Sequence, residues 1–488
     1  SGWRCANTIR SIPLTHVSVR ITVSSLRDIK VSGATRLAGQ LHLPPDKSIA
    51  HRAAMFASLS EEDSVIDGYS MAEDPQSTLS CLQDIGVEID VEPSERYPGT
   101  QNIQVHGFGR DRWQQCSFDE GAVLDCGNSG TTMRLLLGLL GGAGVSVIVD
   151  GDDSLRSRPM GRVLKPLSRL GVTSETVNGS GKAPIQLIGK RFSTSQQEGS
   201  PIEFELEVAS AQVKSALLLA GLFDPEGVAV REPEQSRDHT ERLLNLQKDK
   251  HGWIRTSSLT PCQALSFDIP KDPSAATFWA VLSAMHPDVD IQAPGVGNNP
   301  TRTQIFEVLQ RMGAQIAWGI DTTDTETNVK ANVIKDIEPK SSLTLRSLGK
   351  GQSLQPITLA GDQIPGVIDE IPALMVAMAF ADGVSEIRDA SELRIKETDR
   401  ISAMASVLEA AGVSFQEKPD GMIIHGQPDF HPTPFVVDAL HDHRIAMAAA
   451  ILATCCRPNE APSIIKGGSC ASISYPTFFD DLSSLQTL

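Results

Sequence analysis

Apolar and polar positions along the chain fall into a phrase that returns four times: a leucine, two or three residues, an apolar position, a glycine, then valine or alanine. It reads "LQDIGVEID" from Leu82, "LSRLGVTSE" from Leu167, "LQRMGAQIA" from Leu309 and "LEAAGVSFQ" from Leu408. The spacing before each glycine predicts the last turn of an amphipathic helix, the glycine takes the left-handed cap, and the run after it predicts a strand. A looser copy lies at "LNLQKDKHGWI", and the chain stops at "FFDDLSSLQTL", where a sixth would end. The wide, uneven spacing predicts an α/β protein made of large units of several strands and helices, unlike a short solenoid repeat.

The beginnings of these helices carry an anomaly. A helix N-terminus holds partial positive charge, so acids belong in the first turn and bases do not. "AEDPQSTLSCL" and "KDPSAATFWAVL" obey, with Asp74 and Asp272. Five others do not: "DKSIAHRAAMFASL" has Lys47 and Arg52, "LRSRPMGRVL" has Arg156 and Arg158, "SRDHTERLL" has Arg237, "KETDRISAMASVL" has Lys396 and Arg400, and "HDHRIAMAAAILA" has Arg444. One such helix means little, because a first-turn arginine can reach back to water. Five that converge would join free N–H groups, dipoles and side-chain cations into a trap for a small, multiply charged anion. Lys396 and Arg400, four apart, are predicted to share a helix face. The loop "DCGNSGTTMRLLLGLL" adds backbone amides from Gly127 to Thr131 ahead of an apolar helix. No Gly-Lys-Ser/Thr follows it and no G-x-G-x-x-G follows a strand, which disfavours ATP and NAD.

Composition narrows the class. The 488 residues are 40% hydrophobic and carry a formal net charge of −17. That length suits two domains, and the acidity argues against general nucleic-acid binding, which needs a basic surface. No apolar run reaches the ~18 residues of a membrane span. The eight cysteines form no C-x-x-C pair, which reads as reduced thiols of the cytoplasm without a disulfide frame or zinc site. The first residues have Arg4, Arg10, Arg20 and Arg27 and no acid before Asp28. This bias is similar to a plastid or other organelle transit peptide, and translated upstream or foreign sequence explains it equally well. Residues 1–29 are therefore expected to be a disordered or non-native extension.

The motifs "DKSIAHR", "GNSGTTMR", "RPMGRVLKPL", "ASAQVKSALLLAG", "RDHTERLL", "IDEIPAL", "LRIKETDRI" and "DHRIAM", in this order, resemble 5-enolpyruvylshikimate-3-phosphate (EPSP) synthases from about Val31 to the C-terminus. The wording of "ASAQVKSA" and "RDHTE" is closer to bacterial class II members. The resemblance implies a two-domain inside-out α/β barrel, the enolpyruvyl transferase fold, of six βαβαββ units, three per domain, with helix N-termini directed into the cleft between domains. It puts the crossings near Pro45 and Pro270, with one domain at 46–270 and the other at 30–45 plus 271–488. The implied reaction moves the enolpyruvyl group of phosphoenolpyruvate to the 5-hydroxyl of shikimate 3-phosphate, with no cofactor and no metal, in a monomer with neither nucleic-acid nor membrane partners.

The same resemblance assigns residues. Lys47, Asp369 and Glu397 are catalytic: Glu397 protonates the methylene carbon and later removes a methyl proton, Asp369 accepts the 5-hydroxyl proton, and Lys47 assists departure of phosphate. Shikimate 3-phosphate falls to Lys47, Ser48, Arg52, Ser210, Ala211, Gln212, Arg237, Asp369 and Lys396. Phosphoenolpyruvate falls to Lys47, Gly130, Arg158, Gln212, Arg400 and Arg444, the last two as forked donors on its carboxylate. Without the resemblance, Ser210 reads equally as a helix cap and Arg237 as a surface partner of Asp238 or Glu241. His441 and His443 lack a third ligand at a metal-site spacing and read as solvent or cleft-wall residues. Two departures from class I are a missing lysine in "ASISYPTF", near Ile473, and Glu392 where class I has asparagine; Gln247 to Ser266 shows no family motif. The sibling that acts on UDP-N-acetylglucosamine uses a loop cysteine before an Arg-Pro pair, absent from "GDDSLRSRP". A non-catalytic anion-binding protein on the same fold is the other alternative.

Overall fold

In the computed structural model, residues 27–176, 179–189, 200–320 and 337–487 are described. Their strands form six sheets, and none closes into a barrel. All six sheets share one plan, a parallel pair of strands with an antiparallel strand beside it. In the first, Ser266–Asp268 runs parallel to Ser64–Tyr69, and Gln101–Val105 and Ile89–Pro93 follow antiparallel. The plan returns with Val123–Asp125, Val147–Asp150, Ile185–Ile188 and Thr173–Thr176, and with Thr358–Leu359, Gly383–Ile387, Gly421–Gly426 and Ser414–Lys418. Arg36–Gln40, Val289–Gly297, Lys340–Arg346 and Gln315–Gly319 repeat it, with Gln486–Thr487 added at the edge. Ile202–Glu205, Val228–Arg231 and Ile254–Thr256 make a shortened copy, as do Val436–Asp438, Ser463–Lys466 and Ile29–Val31.

The glycine phrases fall where helices hand over to strands. Gly86 and Gly313 cap their helices at φ 100° and 108°, and Gly171 and Gly412 follow theirs at 83° and 86°. A side chain at these angles would strain the backbone, so glycine is the residue that lets the chain turn back into its sheet. Gln247 to Ser266, which showed no motif, contributes the strand Ile254–Thr256 and, at Ser266, the start of Ser266–Asp268. At the other end, Ile29 begins a strand registered against Ile465, and Asp28 accepts a hydrogen bond from the Gly467 N–H. The extension set aside as residues 1–29 therefore overlaps the sheet at its last residue; residues 1–26 lie outside the described ones.

Two hydrophobic cores form. One gathers side chains from Ile49 to Ile269, and the other joins Val31–Leu43 to the chain from Ala275 onward. Each is threaded by helices buried on nearly every side: Lys47–Ala57, Gly130–Ala143 and Ala211–Gly221 in the first, Pro273–Met285, Ile371–Met378 and His443–Thr454 in the second. Helices this apolar all round can only sit inside a core. Gly138 makes the close crossing of two of them possible, since a Cβ there would lie 2.3 Å from the Ala216 carbonyl oxygen. The chain passes between the two cores twice, and the passages lie side by side: the Asp46 N–H donates to the Pro270 carbonyl (2.8 Å) and the Asp272 N–H to that of Pro44 (2.9 Å).

Candidate active site

The N-terminal ends of the six central helices face one cleft between the two cores, lined by Lys47, Gly130, Ala211, Ser274, Asp369 and His443 among others. Side-chain caps fix several of these ends. Asp46 accepts from the Ile49 N–H, Ser129 from Thr132 N–H, Ser210 from Val213 N–H, Asp272 from Ser274 N–H and Asp442 from Arg444 N–H. Ser210 is thus a helix cap and a cleft residue at once.

On the wall formed by residues 46–270, Lys47 Nζ lies 2.9 Å from Asp74 Oδ2. Arg52 is buried and its fork is spent on Thr240 Oγ1 (3.2 Å), Ser215 Oγ (3.0 Å) and the Ser48 carbonyl (2.9 Å). Burial, with Arg237 nearby, pushes its pKa down to about 10. Gly130 opens its helix, and Arg134 one turn on donates to Gln212 Oε1 (2.6 Å), whose amide donates in turn to Thr131 Oγ1 (3.0 Å). Arg158 donates to Asn128 Oδ1 (2.6 Å) and to Ser154 Oγ (3.1 Å).

The opposite wall carries the carboxylates. Asp369 meets Arg237 Nη2 at 2.7 Å, Lys396 Nζ at 3.3 Å and Arg400 Nη1 at 3.6 Å. Burial pushes its carboxyl up, and the cations of Lys396, Arg237, Arg444 and Arg400 outweigh that and hold it well below the usual range. Glu397 lies 2.6 Å from Arg400 and 3.7 Å from Arg158. Its carboxyl is likewise raised by burial and, on balance, held well below its ordinary value by Arg400, Arg158, His443 and Lys47. Arg400 is itself fixed by Asp442 at 2.7 Å, and Arg444 donates to the Asp369 carbonyl at 2.7 Å. Opposite charges therefore meet across the cleft in Arg237–Asp369, Arg158–Glu397 and Arg162–Glu392, the last at 3.0 Å.

Every residue assigned by resemblance lines this cleft, yet three local readings fail. Lys396 and Arg400 do not share a helix face: the helix begins at Arg400, because Asp399 caps it by accepting from Ile401 and Ser402 N–H groups. Arg156, Arg158 and Arg237 are not in a first turn either: Arg237 precedes the helix His239–Leu243, and Arg52 lies in the second turn of Lys47–Ala57. Arg156 lies in the last turn of the short helix Asp153–Ser157, and Arg158 lies just beyond it with an extended backbone, as a residue before Pro159 prefers. Arg237 pairs with Asp369 across the cleft, not with Asp238 or Glu241 on the surface. Ile473 packs beside the second core.

The sequence reading missed cleft residues as well. Arg134 follows Gly130 by one helical turn, so the argument applied to the other basic helix starts would have found it. Asp74, read as an ordinary acidic first turn, is the partner of Lys47. His443, by contrast, was expected as a solvent or cleft-wall residue; it is buried in the wall with neither ring nitrogen hydrogen-bonded among the described residues, and burial together with Lys47 and Arg444 lowers its pKa well below the usual value. Arg302 follows "NNP", where no periodicity points to a site.

Comparison with known proteins gives the same direction throughout. Residues 31–482 match the family model described as EPSP synthase (3-phosphoshikimate 1-carboxyvinyltransferase). A 3-phosphoshikimate 1-carboxyvinyltransferase of Synechococcus sp. (strain JA-3-3Ab) is 40% identical over 471 residues, covering 95% of this chain and 98% of that one. One from Chloroflexus aurantiacus is 38% identical over 468 residues, covering 94% and 99%. Among solved structures, EPSP synthase from Acinetobacter baumannii superposes with a TM-score of 0.75 at 32% identity, covering 94% of this chain and 98% of that one. The enolpyruvyl transferase NikO from Streptomyces tendae, at 16% identity, covers 93% and 96% with a TM-score of 0.66 and shares the fold.

Proposed function

The chain belongs to the EPSP synthase family, and on that premise we propose that it transfers the enolpyruvyl group of phosphoenolpyruvate to the 5-hydroxyl of shikimate 3-phosphate and releases inorganic phosphate. The observation that carries the reading is the gathering of all the residues named by resemblance in one cleft, with Asp369 and Glu397 on one wall and Lys47, Arg158 and Arg237 on the other.

In the proposed addition step, Asp369 takes the 5-hydroxyl proton while that oxygen bonds to the central carbon of phosphoenolpyruvate, and Glu397 gives a proton to the methylene carbon, making it a methyl group. In the elimination, Glu397 takes a proton back from the methyl group, the double bond reforms, and the bond to the phosphate oxygen breaks with Lys47 stabilising the departing anion, which takes up the proton that Asp369 removed and leaves as inorganic phosphate. Both substrates are anions that must be desolvated side by side, which is why the reading needs cations on every wall. Lys47, Gly130, Arg158 and Gln212 hold the departing phosphate of phosphoenolpyruvate, Arg400 and Arg444 its carboxylate, and Ser48, Arg52, Ser210, Ala211, Arg237 and Lys396 the shikimate 3-phosphate. Substrate anions also resolve an apparent conflict. Glu397 is ionised while Arg400 and Arg158 face it, and a carboxylate or phosphate sharing those cations raises its pKa toward that of a proton donor.

The short helix before Arg158 holds no cysteine, which disfavours the UDP-N-acetylglucosamine reaction. Phosphate release with phosphoenolpyruvate and either acceptor tests the choice. Release with shikimate 3-phosphate alone is expected; release only with UDP-N-acetylglucosamine moves the chain to the sibling activity, and binding without release makes it an anion-binding protein. The proposal includes a monomer working in the cytoplasm, or in a plastid if residues 1–29 are a transit peptide. Among the described residues no helix is long and apolar enough to cross a membrane.

A further inference from the structure

Where the chain crosses between its two cores, a single guanidinium joins them. Arg302 is buried, and its Nη1 donates to Asp46 Oδ2 at 2.5 Å while its Nη2 donates to Asp272 Oδ1 at 2.9 Å. These two carboxylates are the caps of the first central helix of each core, and each keeps its other duty: Asp46 Oδ1 accepts from the Ile49 N–H, and Asp272 Oδ1 also accepts from the Ser274 N–H. The fork goes further. Arg302 Nη2 donates to Ser274 Oγ at 3.0 Å, and that hydroxyl donates to Glu370 Oε1 at 2.5 Å. His239 supports Arg302 from behind: its Nε2 lies 3.2 Å from Arg302 Nη1, and its Nδ1 lies 2.5 Å from the buried Glu338. With Arg302 as donor to Nε2, the proton on the ring sits at Nδ1 and points to Glu338.

Asp46 immediately precedes Lys47, and Glu370 immediately follows Asp369. The chain of contacts from Asp46 through Arg302 and Ser274 to Glu370 therefore runs from one catalytic residue of the proposed reaction to another, on opposite walls. We propose that Arg302 is a positioning residue: by gripping both cap carboxylates in one planar fork, it fixes the separation of the walls and so the distance from Lys47 to the Asp369–Glu397 pair. Lysine cannot replace it, since a single ammonium has no rigid fork to span two carboxylates.

The inference rests on the enolpyruvyl-transfer reading, and the experiment separates the two. Arg302→Lys and Asp46→Asn are assayed beside the parent for kcat, KM and shikimate 3-phosphate binding. Asp46→Asn keeps a carbonyl oxygen for the Ile49 N–H, so it preserves the helix cap while loosening the grip of Arg302, and it serves if Arg302→Lys does not fold. In each variant kcat is expected to fall by about 100-fold, the scale of a small misplacement remote from the chemistry. Binding of shikimate 3-phosphate, assigned mostly to one wall, stays close to that of the parent. The double variant is expected to be no slower than the slower single one, because both changes break the same link. A parent-like kcat in both single variants, losses that multiply in the double, or a change confined to thermal stability overturns the role of Arg302. A parent protein that releases no phosphate overturns the reading beneath it.

Discussion

Glu397 shows how much of this site lies in pairs of residues. Its carboxylate neutralises Arg400 and Arg158, the same cations that the proposed substrate needs. Glu397→Gln is therefore expected to leave phosphoenolpyruvate binding intact or tighter while slowing turnover by roughly 100-fold or more, the usual scale for a lost general acid and base; titration calorimetry beside a phosphate-release assay measures both. The lowered carboxyls also set a pH dependence. Since kcat/KM reports the free protein and kcat the complex, the acidic limb, set by Asp369 as the base that must be ionised, is expected at lower pH in kcat/KM than in kcat, because bound anions relieve the cations of Lys396, Arg237, Arg444 and Arg400 that act on it. Coincident limbs would show that those cations are not shared. Asp369 and Glu397 also contribute stability that is present above about pH 4 and is lost as pH falls through their lowered folded-state values. At Gly130, an added methyl would lie 3.0 Å from Arg134 Nη1 and 3.3 Å from Arg158 Nη1, and both arginines are held by hydrogen bonds. The family resemblance implies that alanine at this position goes with glyphosate tolerance, and we propose on that ground that the parent, with Gly130, is inhibited by glyphosate. Gly130→Ala is expected to weaken that inhibition and to cost some phosphoenolpyruvate affinity, with a clash of about 1–3 kcal/mol. Inhibition curves at matched substrate saturation decide it; a tolerant parent places the control elsewhere.

Among the elements, helix starts decide what the cleft contains. Asp399 accepts two N–H groups at the start of Arg400–Ala410, so Asp399→Ala is expected to lower stability by about 1 kcal/mol, read as a lower thermal midpoint. It is also expected to reduce activity, since Arg400 is the first residue of that helix. That cap was visible in "KETDR", because aspartate favours the position before a helix, and heeding it would have excluded the shared face drawn for Lys396 and Arg400. Proline at 159 likewise bars Arg158 from a helix. Lys47, Arg400 and Arg444 stand at helix starts, where cations defy the dipole rule, whereas Arg158, Arg237 and Lys396 lie outside the helices and owe their place to the family motifs. Asp74, a carboxylate partner, obeys that rule, so it looked ordinary and its role emerged only in three dimensions. Arg302 had no pattern to betray it, as its partners lie 256 and 30 residues away in sequence.

For the whole molecule, the glycine phrases marked several of the turns from helix to strand, and the shared strand plan of all six sheets is the repeat they belong to. Periodicity could announce large units but not which strands pair, because the pairing joins segments as distant as Ser64–Tyr69 and Ser266–Asp268. The layout of the cleft came from family resemblance, and its alternation of cations with carboxylates came from the fold. In the proposed reaction this cleft adds a proton to phosphoenolpyruvate and takes one away as phosphate leaves. Turnover of both substrates in D2O, followed by phosphorus and proton spectra, tests it most directly. Inorganic phosphate is expected to grow in step with an enolpyruvyl product whose vinyl positions carry deuterium, since the transient methyl group holds one solvent-derived hydrogen among three. Phosphate released without a vinyl product, or a product with no deuterium at all, would rule out this addition and elimination.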